Sequence, residues 1–402
     1  MTEGALHGLR VVEYAQMVAG PYCGKLLADL GADVIKVEPP GQGDRARRRG
    51  PFAGRDTARQ HSVLFLYLNT SKRSVTLDAT KPTGRDLFHQ LVRQADILIE
   101  DLPPEGLDAL GLGPEALRSQ NSRLIVTSVT PFGQTGPYRS YRAYAFQVFH
   151  AGGDGYLLPG KQGPFSQRAP VAAGTYLADY DTGLNAAMAT LAAWYAREHT
   201  GQGQHIDVSG QEAAMSLTRQ DLVRYPNEGV VEHRTTRALP AVVARCRDGY
   251  IDISLLDNRY WDILLDMMGN PAWAKDERFK DFLGREKHRE EMMRRIEEWS
   301  ITQSVHDLYQ RGQARQMPVG IYNSPAEVLC SAHLRARGFF AEIAHPEAGA
   351  LPYPSAPYKL SRTPWRARRP APRLGEHNRE VYCDLLGLSS TQTVKLYEAG
   401  VI

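Results

Sequence analysis

"LRVVEYAQMVAGPYCGKLLADLGADVIKVEPP", residues 9–40, decides the fold. Its first part, "LRVVEYA" (9–15), is short, apolar and β-branched, the composition of a buried strand. "GPYCGKLLADLG" (20–31) reads as a helix with Pro21 at the favoured first position. "ADVIKVEPP" (32–40) is a second strand, stopped by prolines. The alternation continues with strand 74–79, helix 82–95, strand 96–101, helix 113–120 and strand 123–133. Strand and helix alternating through short connections predict an α/β fold with a doubly wound, mainly parallel sheet. Right-handed crossovers then gather the loops that follow the strands along one edge, where ligands bind.

At 402 residues the chain exceeds what a single core usually supports, so two domains are expected. Residues 1–225 form the first part of a large domain. The segment 226–325 reads as a smaller α+β domain, with a hairpin turning at Asp248-Gly249. Residues 326–402 follow it, including an arginine- and proline-rich stretch (352–380) that reads as a wrap over a surface. The 42% hydrophobic and 23% charged composition is that of a globular protein. A net charge of +3, 48 basic against 45 acidic residues, gives no ground for a nucleic-acid partner. No apolar run reaches membrane-span length and the first residues lack a signal-peptide pattern, so a cytoplasmic location is expected. Cys23, Cys246, Cys330 and Cys383 are scattered without CxxC spacing, which suggests neither a zinc site nor a disulfide framework.

The first strand-to-helix turn has no GxGxxG, which disfavours a nicotinamide or flavin cofactor, and no Walker A sequence supports ATP hydrolysis. "GQGDRARRRG" (41–50) sets four arginines in five residues: a solvated face, or a cradle for phosphate. Lys72, Arg73 and Arg142 are further candidate phosphate contacts. Gly152, Gly153 and Gly155 make a turn, or let backbone N–H groups approach a reacting carbonyl. "LADYDTGLNAAMATLAAW" (177–194) puts Asp179 and Asp181 before a run of helix formers. Asp181 reads as the N-cap, with Leu184, Ala187, Met188, Leu191 and Tyr195 on one face. Asp179 is then spare, either a second polar residue before the helix or a carboxylate nucleophile kept ionised by the helix N-terminus.

Taken together, "RVVEYAQMVAGPYCGKLLADLGADVIKVEPPGQGDRAR" (10–47), "LNTSKRSVTLD" (68–78), "ADILIEDLPPEGLDALGLGPEAL" (95–117), "DTGLNAAMATLAAWYAREHTGQGQHIDVSGQEA" (181–213) and "GEHNREVYCDLLG" (375–387) resemble the class III CoA-transferases. The α-methylacyl-CoA racemases are relatives of that family. The resemblance implies a Rossmann-like large domain built from both chain ends, a small middle domain, and two chains interlocked as a dimer. It implies no tightly bound cofactor, an acyl-CoA thioester and a small carboxylic acid as substrates, and a catalytic aspartate at Asp179. By the same resemblance Met17, Val18, Asn69, Lys72, Asp101, Leu102 and Arg142 contact CoA. Pro39 stands where formyl-CoA transferase has an arginine, and "TTRALPAVVARC" (235–246) replaces its glycine-rich loop. A racemase is the alternative, but the histidine those enzymes place upstream of the aspartate falls here at Tyr144-Ala145, with His150 out of register. A non-catalytic subunit of a heteromeric transferase is a third reading, against which Asp179 itself argues.

Overall fold

The computed structural model describes residues 4–54, 61–158, 169–234, 241–255 and 257–402. Part of the segment set against the family's glycine-rich loop, 235–240, lies outside the described residues. Six strands form the main sheet: β1 (Arg10–Tyr14), β2 (Asp33–Glu38), β3 (Arg73–Thr76), β4 (Ile97–Glu100), β5 (Ile125–Thr130) and β6 (His205–Ser209). All neighbours are parallel and the order is β3-β2-β1-β4-β5-β6, with Val12 opposite both Ile35 and Leu98. The winding reverses between β1 and β4, the switch point beyond whose carboxyl ends doubly wound sheets bind ligands.

Strand periodicity divides the core between the two faces. Val12, Ile35, Leu98 and Val126 pack with Leu87, Phe88 and Leu91 of the helix Pro82–Arg93. Their neighbours Val11, Val34, Ile97 and Ile125 point the other way. They meet Cys23 and Leu27 of the helix Ala19–Asp29 and Ala186, Ala187 and Ala193 of the helix Leu177–Thr200. The chain's end belongs to the same body. Tyr382 Oη donates to the Thr76 carbonyl at 2.7 Å, Asn378 bonds Thr76, and Val401 and Ile402 are buried in the first face's core. The arginine-rich wrap is tied down by Arg368, which donates to the carbonyls of Ala28 and Ala32.

By contact the chain divides into two compact units. The first comprises Met1–Gly155, Ala172–Val223 and Arg337–Ile402, and the second Tyr156–Val171 and Arg224–Ala336. The second unit holds an antiparallel sheet of β7 (Ala241–Cys246), β8 (Gly249–Ser254) and β9 (Val319–Ile321). It packs on Trp261, Leu264, Phe279, Ile296 and Leu308.

Several elements differ from the sequence expectation. Pro21 is the third residue of its helix, not the first; the first-turn N–H groups lack helical partners anyway, so proline fits there too. The hairpin turns at Arg247-Asp248, because Cys246 pairs with Gly249 and Asp248 Oδ1 accepts the Val305 N–H at 2.7 Å. Residues 210–225 do not form one helix. Gly210–Met215 and Arg219–Glu228 are separated at Ser216–Thr218, where the Thr218 hydroxyl bonds the carbonyls of Gly152 and Met215. The helix Val63–Leu68, too uniformly apolar to show a period, is an addition; Ser62 caps it.

Candidate active site

The long helix begins at Leu177, five residues before the expected start at Thr182, with Tyr176 at the N-cap and no side-chain cap. Asp181 is therefore not the cap. It lies inside the helix, accepting a bond from Ser216 Oγ at 3.3 Å, and burial raises its pKa against the favourable influence of Ser216 and Arg219. The buried face is only in part the one expected: Ala187 is buried and Leu191 packs against the core. Leu184, Met188 and Tyr195 are exposed, while the small residues Gly183, Ala186, Ala187, Thr190 and Ala193 face inward. Closeness decides this. A Cβ on Gly183 would stand 2.5 Å from the Ala19 carbonyl and 3.0 Å from Tyr22 Cβ, so only small residues let this helix reach the first.

Asp179 occupies the first turn of this helix, one turn before the Gly183 contact. The expectation that the helix end keeps it ionised is incomplete. Burial dominates and raises its carboxyl pKa to about 6, while the helix dipole acts in the opposite sense. No hydrogen bond or ion pair engages its carboxylate among the described residues. The next residue, Tyr180, meets Tyr22 edge-on at 5.0 Å and Tyr67 at 6.4 Å between ring centroids.

The turn after β1 is the other half of the site. Met17 has φ +64°, a left-handed conformation that an L side chain adopts at a cost. Two carboxylates hold it: Asp44 Oδ1 accepts the Met17 N–H at 3.0 Å, and Asp101 Oδ2 accepts the Gln16 N–H at 2.9 Å. Met17 and Val18 follow β1 while Asp101 and Leu102 follow β4, so the switch crevice brings these four together. Burial pushes Asp101 up to about 7, and Glu100 beside it also to about 7.

Beneath the turn lies a buried ionic chain that sequence reasoning did not find. Lys36 Nζ contacts Asp44 Oδ2, Glu13 Oε1 and the Ala15 carbonyl, each at 2.8 Å, and Glu13 Oε2 pairs with Lys72 Nζ at 2.7 Å. Two cations and two anions alternate with fully buried side chains. Burial alone would lower the Lys36 pKa; Asp44 and Glu13 outweigh it and raise it. Lys72 is lowered to about 8, burial prevailing over Glu13. The signal was present: Glu13 and Lys36 interrupt strands that are otherwise apolar.

Lys72 and Asn69 are both wholly inside, where Lys72 Nζ also donates to the Pro21 carbonyl and to Asn69 Oδ1. In this chain the Lys72 ammonium is thus enclosed under the first helix, paired with Glu13. Arg142 is exposed on the stretch before the helix Ala145–Ala151, and no hydrogen bond or ion pair joins it to the crevice group among the described residues. Of the glycines at 152–155, Gly152 and Gly153 are not free donors. Gly152 N–H bonds the Val148 carbonyl, Gly153 N–H bonds the His150 carbonyl, and Gly155 leaves room for the His150 ring. Of the four clustered arginines, Arg47 is structural, forked onto Glu38 at 2.8 Å and stacked 3.7 Å over Phe65. Arg45, Arg48 and Arg49 are exposed. Among the described residues no group of three or more metal-ligating side chains forms.

A doubly wound α/β body with a lone, partly buried carboxylate by its switch crevice defines a class of enzyme scaffold. The chain belongs to CoA-transferase family III, whose model matches residues 6–378. It is 33% identical to succinate–glutarate CoA-transferase of Agrobacterium fabrum, over 96% of this chain and 97% of that one. It is 32% identical to formyl-CoA:oxalate CoA-transferase of Streptomyces coelicolor over the whole of both. The solved structure of a CAIB/BAIF family protein from Brucella suis matches with a TM-score of 0.86 at 32% identity, covering 96% of this chain and all of that one.

Proposed function

We infer that this chain moves CoA from an acyl-CoA to a small free carboxylate, with Asp179 carrying first the acyl group and then CoA. The observation that carries the reading is the Asp179 carboxylate itself, unpaired among the described residues and made more basic by burial. Its pKa of about 6 leaves it ionised at neutral pH and a better nucleophile than an ordinary carboxylate. In the first step Asp179 attacks the thioester carbonyl; the C–S bond breaks, CoA leaves as thiolate, and a mixed anhydride remains. The thiolate then attacks the aspartyl carbonyl and the donor acid leaves as its carboxylate, giving an aspartyl-CoA thioester. The acceptor carboxylate attacks that thioester and expels the thiolate. Finally the thiolate attacks the new acyl carbonyl, and Asp179 departs as carboxylate. Thioester is exchanged for thioester, so no ATP is consumed. Water must be kept from the anhydride, and a partly buried nucleophile serves that end.

Around this centre Met17, Val18, Asp101 and Leu102 border the crevice in which we place the CoA moiety, and Arg142 is a further CoA contact. Asn69 and Lys72 support the crevice from beneath. We also place two chains in an interlocked dimer, which would cover the exposed Leu184, Met188 and Tyr195. The acids exchanged are small carboxylates, as the names of the two CoA-transferases above indicate for those proteins. The racemase alternative gains nothing from His150, whose ring packs against Phe146 and Phe149 and makes no bond to Asp179 among the described residues.

Transfer of labelled CoA between succinyl-CoA and a panel of carboxylates tests the reading. Asp179→Ala is expected to abolish exchange and Asp181→Ala to retain it, since the Asp181 carboxylate is engaged with Ser216 and Arg219. Equal activity in the two variants, or deuterium wash-in at Cα without exchange, would refute it.

A further inference from the structure

The segment behind β2 is fixed at three points before it reaches the site. Asp44 accepts the Ala46 N–H at 2.8 Å and starts the turn Arg45–Arg48; Ala46 is fully buried; and Arg47 anchors on Glu38. Three guanidinium groups remain outside, and each is held by a neutral oxygen. Arg45 Nε bonds the side-chain oxygen of Gln16 at 3.2 Å, and Arg48 bonds the Gln42 carbonyl. Arg49 Nε donates to the hydroxyl of Tyr176 at 3.2 Å.

Arg49 differs from the other two by its address. Tyr176 is the residue on which the long helix starts, and Asp179 follows three residues later in the first turn. Tyr176 is the N-cap and Asp179 the third helical residue, the two positions that a capping box brings together. No carboxylate pairs with Arg49 among the described residues, whereas Arg47, Arg73 and Arg197 of the same unit all have one. A guanidinium bonded through Nε alone keeps its two terminal nitrogens, a planar fork whose spacing matches a carboxylate. The residue after Asp179, Tyr180, packs its ring against those of Tyr22 and Tyr67.

Resting on the transferase reading, we propose that Arg49, oriented by Tyr176, binds the distal carboxylate of a short dicarboxylic acyl group whose other carboxyl carbon is on Asp179. The enzyme's acids are then dicarboxylates. An aliphatic monocarboxylate of equal length places a methyl group against the fork and leaves it unpaired. Tyr176 is a positioning residue: it accepts from Arg49 and keeps its own O–H to donate to the same carboxylate.

The test compares two acid pairs on the full chain: succinyl-CoA with glutarate, and butyryl-CoA with pentanoate. The wild type is expected to favour the dicarboxylate pair in kcat/KM. Arg49→Met should lower kcat/KM for that pair by roughly tenfold to a hundredfold while leaving the monocarboxylate pair unchanged. Tyr176→Phe should raise KM for glutarate with little change in kcat. A wild type indifferent to the pair, or an Arg49→Met variant that weakens both pairs alike as a CoA-phosphate contact would, overturns the proposal. An Arg49→Met variant that changes neither also overturns it. Absence of exchange from every acyl-CoA in the wild type is a different failure: it removes the transferase reading, and the proposal with it.

Discussion

Asp179 combines two opposed influences, a helix N-terminus that favours its charge and burial that disfavours it, and burial prevails. Two predictions follow from the sign. In the proposed mechanism the nucleophile is the ionised form of Asp179, so kcat/KM should fall about tenfold per unit as pH drops below about 6, measured with a donor whose own groups do not titrate there. The folded-state pKa lies above the unfolded one, so the folded protein holds the extra proton between about 4 and 6. The resulting penalty is absent below about 4 and complete above about 6. Asp179→Asn should therefore melt higher than wild type at pH 8 and equally at pH 4, while being inactive. A variant destabilised at pH 8 would show that the carboxylate is a structural group. The sequence marked Asp179 as spare, and it is; the reason given, that Asp181 was the cap, was wrong. Helix formers from Leu177 onward carry the start past both aspartates, and nothing local distinguishes a cap from a first-turn residue when the preceding turn is closed by tertiary contact.

At the scale of the element, the turn after β1 and the first helix are held by charge as much as by packing. A Cβ on Gly24 would stand 1.9 Å from Glu13 Oε2, so the helix Ala19–Asp29 sits directly on the buried Glu13–Lys72 pair. Lys36→Met would leave Glu13 and Asp44 buried without their shared cation. Destabilisation of about 3–5 kcal/mol is expected, read by denaturant unfolding, with the turn at Met17 loosened. A loss under about 1 kcal/mol would show that water reaches these carboxylates and that the network is not the turn's support. Elements were the most legible level: the five strands expected between residues 9 and 133 lie where the periodicity put them, because a buried parallel strand is rich in apolar residues. Contacts across the sheet were not legible. Glu13, Lys36, Asp44 and Lys72 are up to 59 residues apart in sequence (72 minus 13), and only the strand order brings them together. Likewise the stripe Leu184, Ala187, Met188, Leu191 and Tyr195 suggested a buried face, yet of it only Ala187 and Leu191 pack inward, beside Gly183, Ala186, Thr190 and Ala193, because the first helix comes too close for larger side chains.

For the whole molecule, the strand order places β1 and β4 side by side and so makes the switch point, while the returning C-terminus bonds the β3 edge. The exposed stripe on the long helix gives the dimer proposal its test. Met188→Glu should shift the protein toward monomer in light scattering and reduce transfer, and an unchanged mass would contradict a dimer that covers this stripe. The central claim is that the acyl group passes through Asp179. The most direct measurement is mass spectrometry of the peptide holding residues 177–194 after incubation with succinyl-CoA and hydroxylamine. A covalently trapped aspartyl hydroxamate at Asp179 is predicted, absent without acyl-CoA. Active exchange with an unmodified Asp179, or modification at Asp181 instead, would contradict the account.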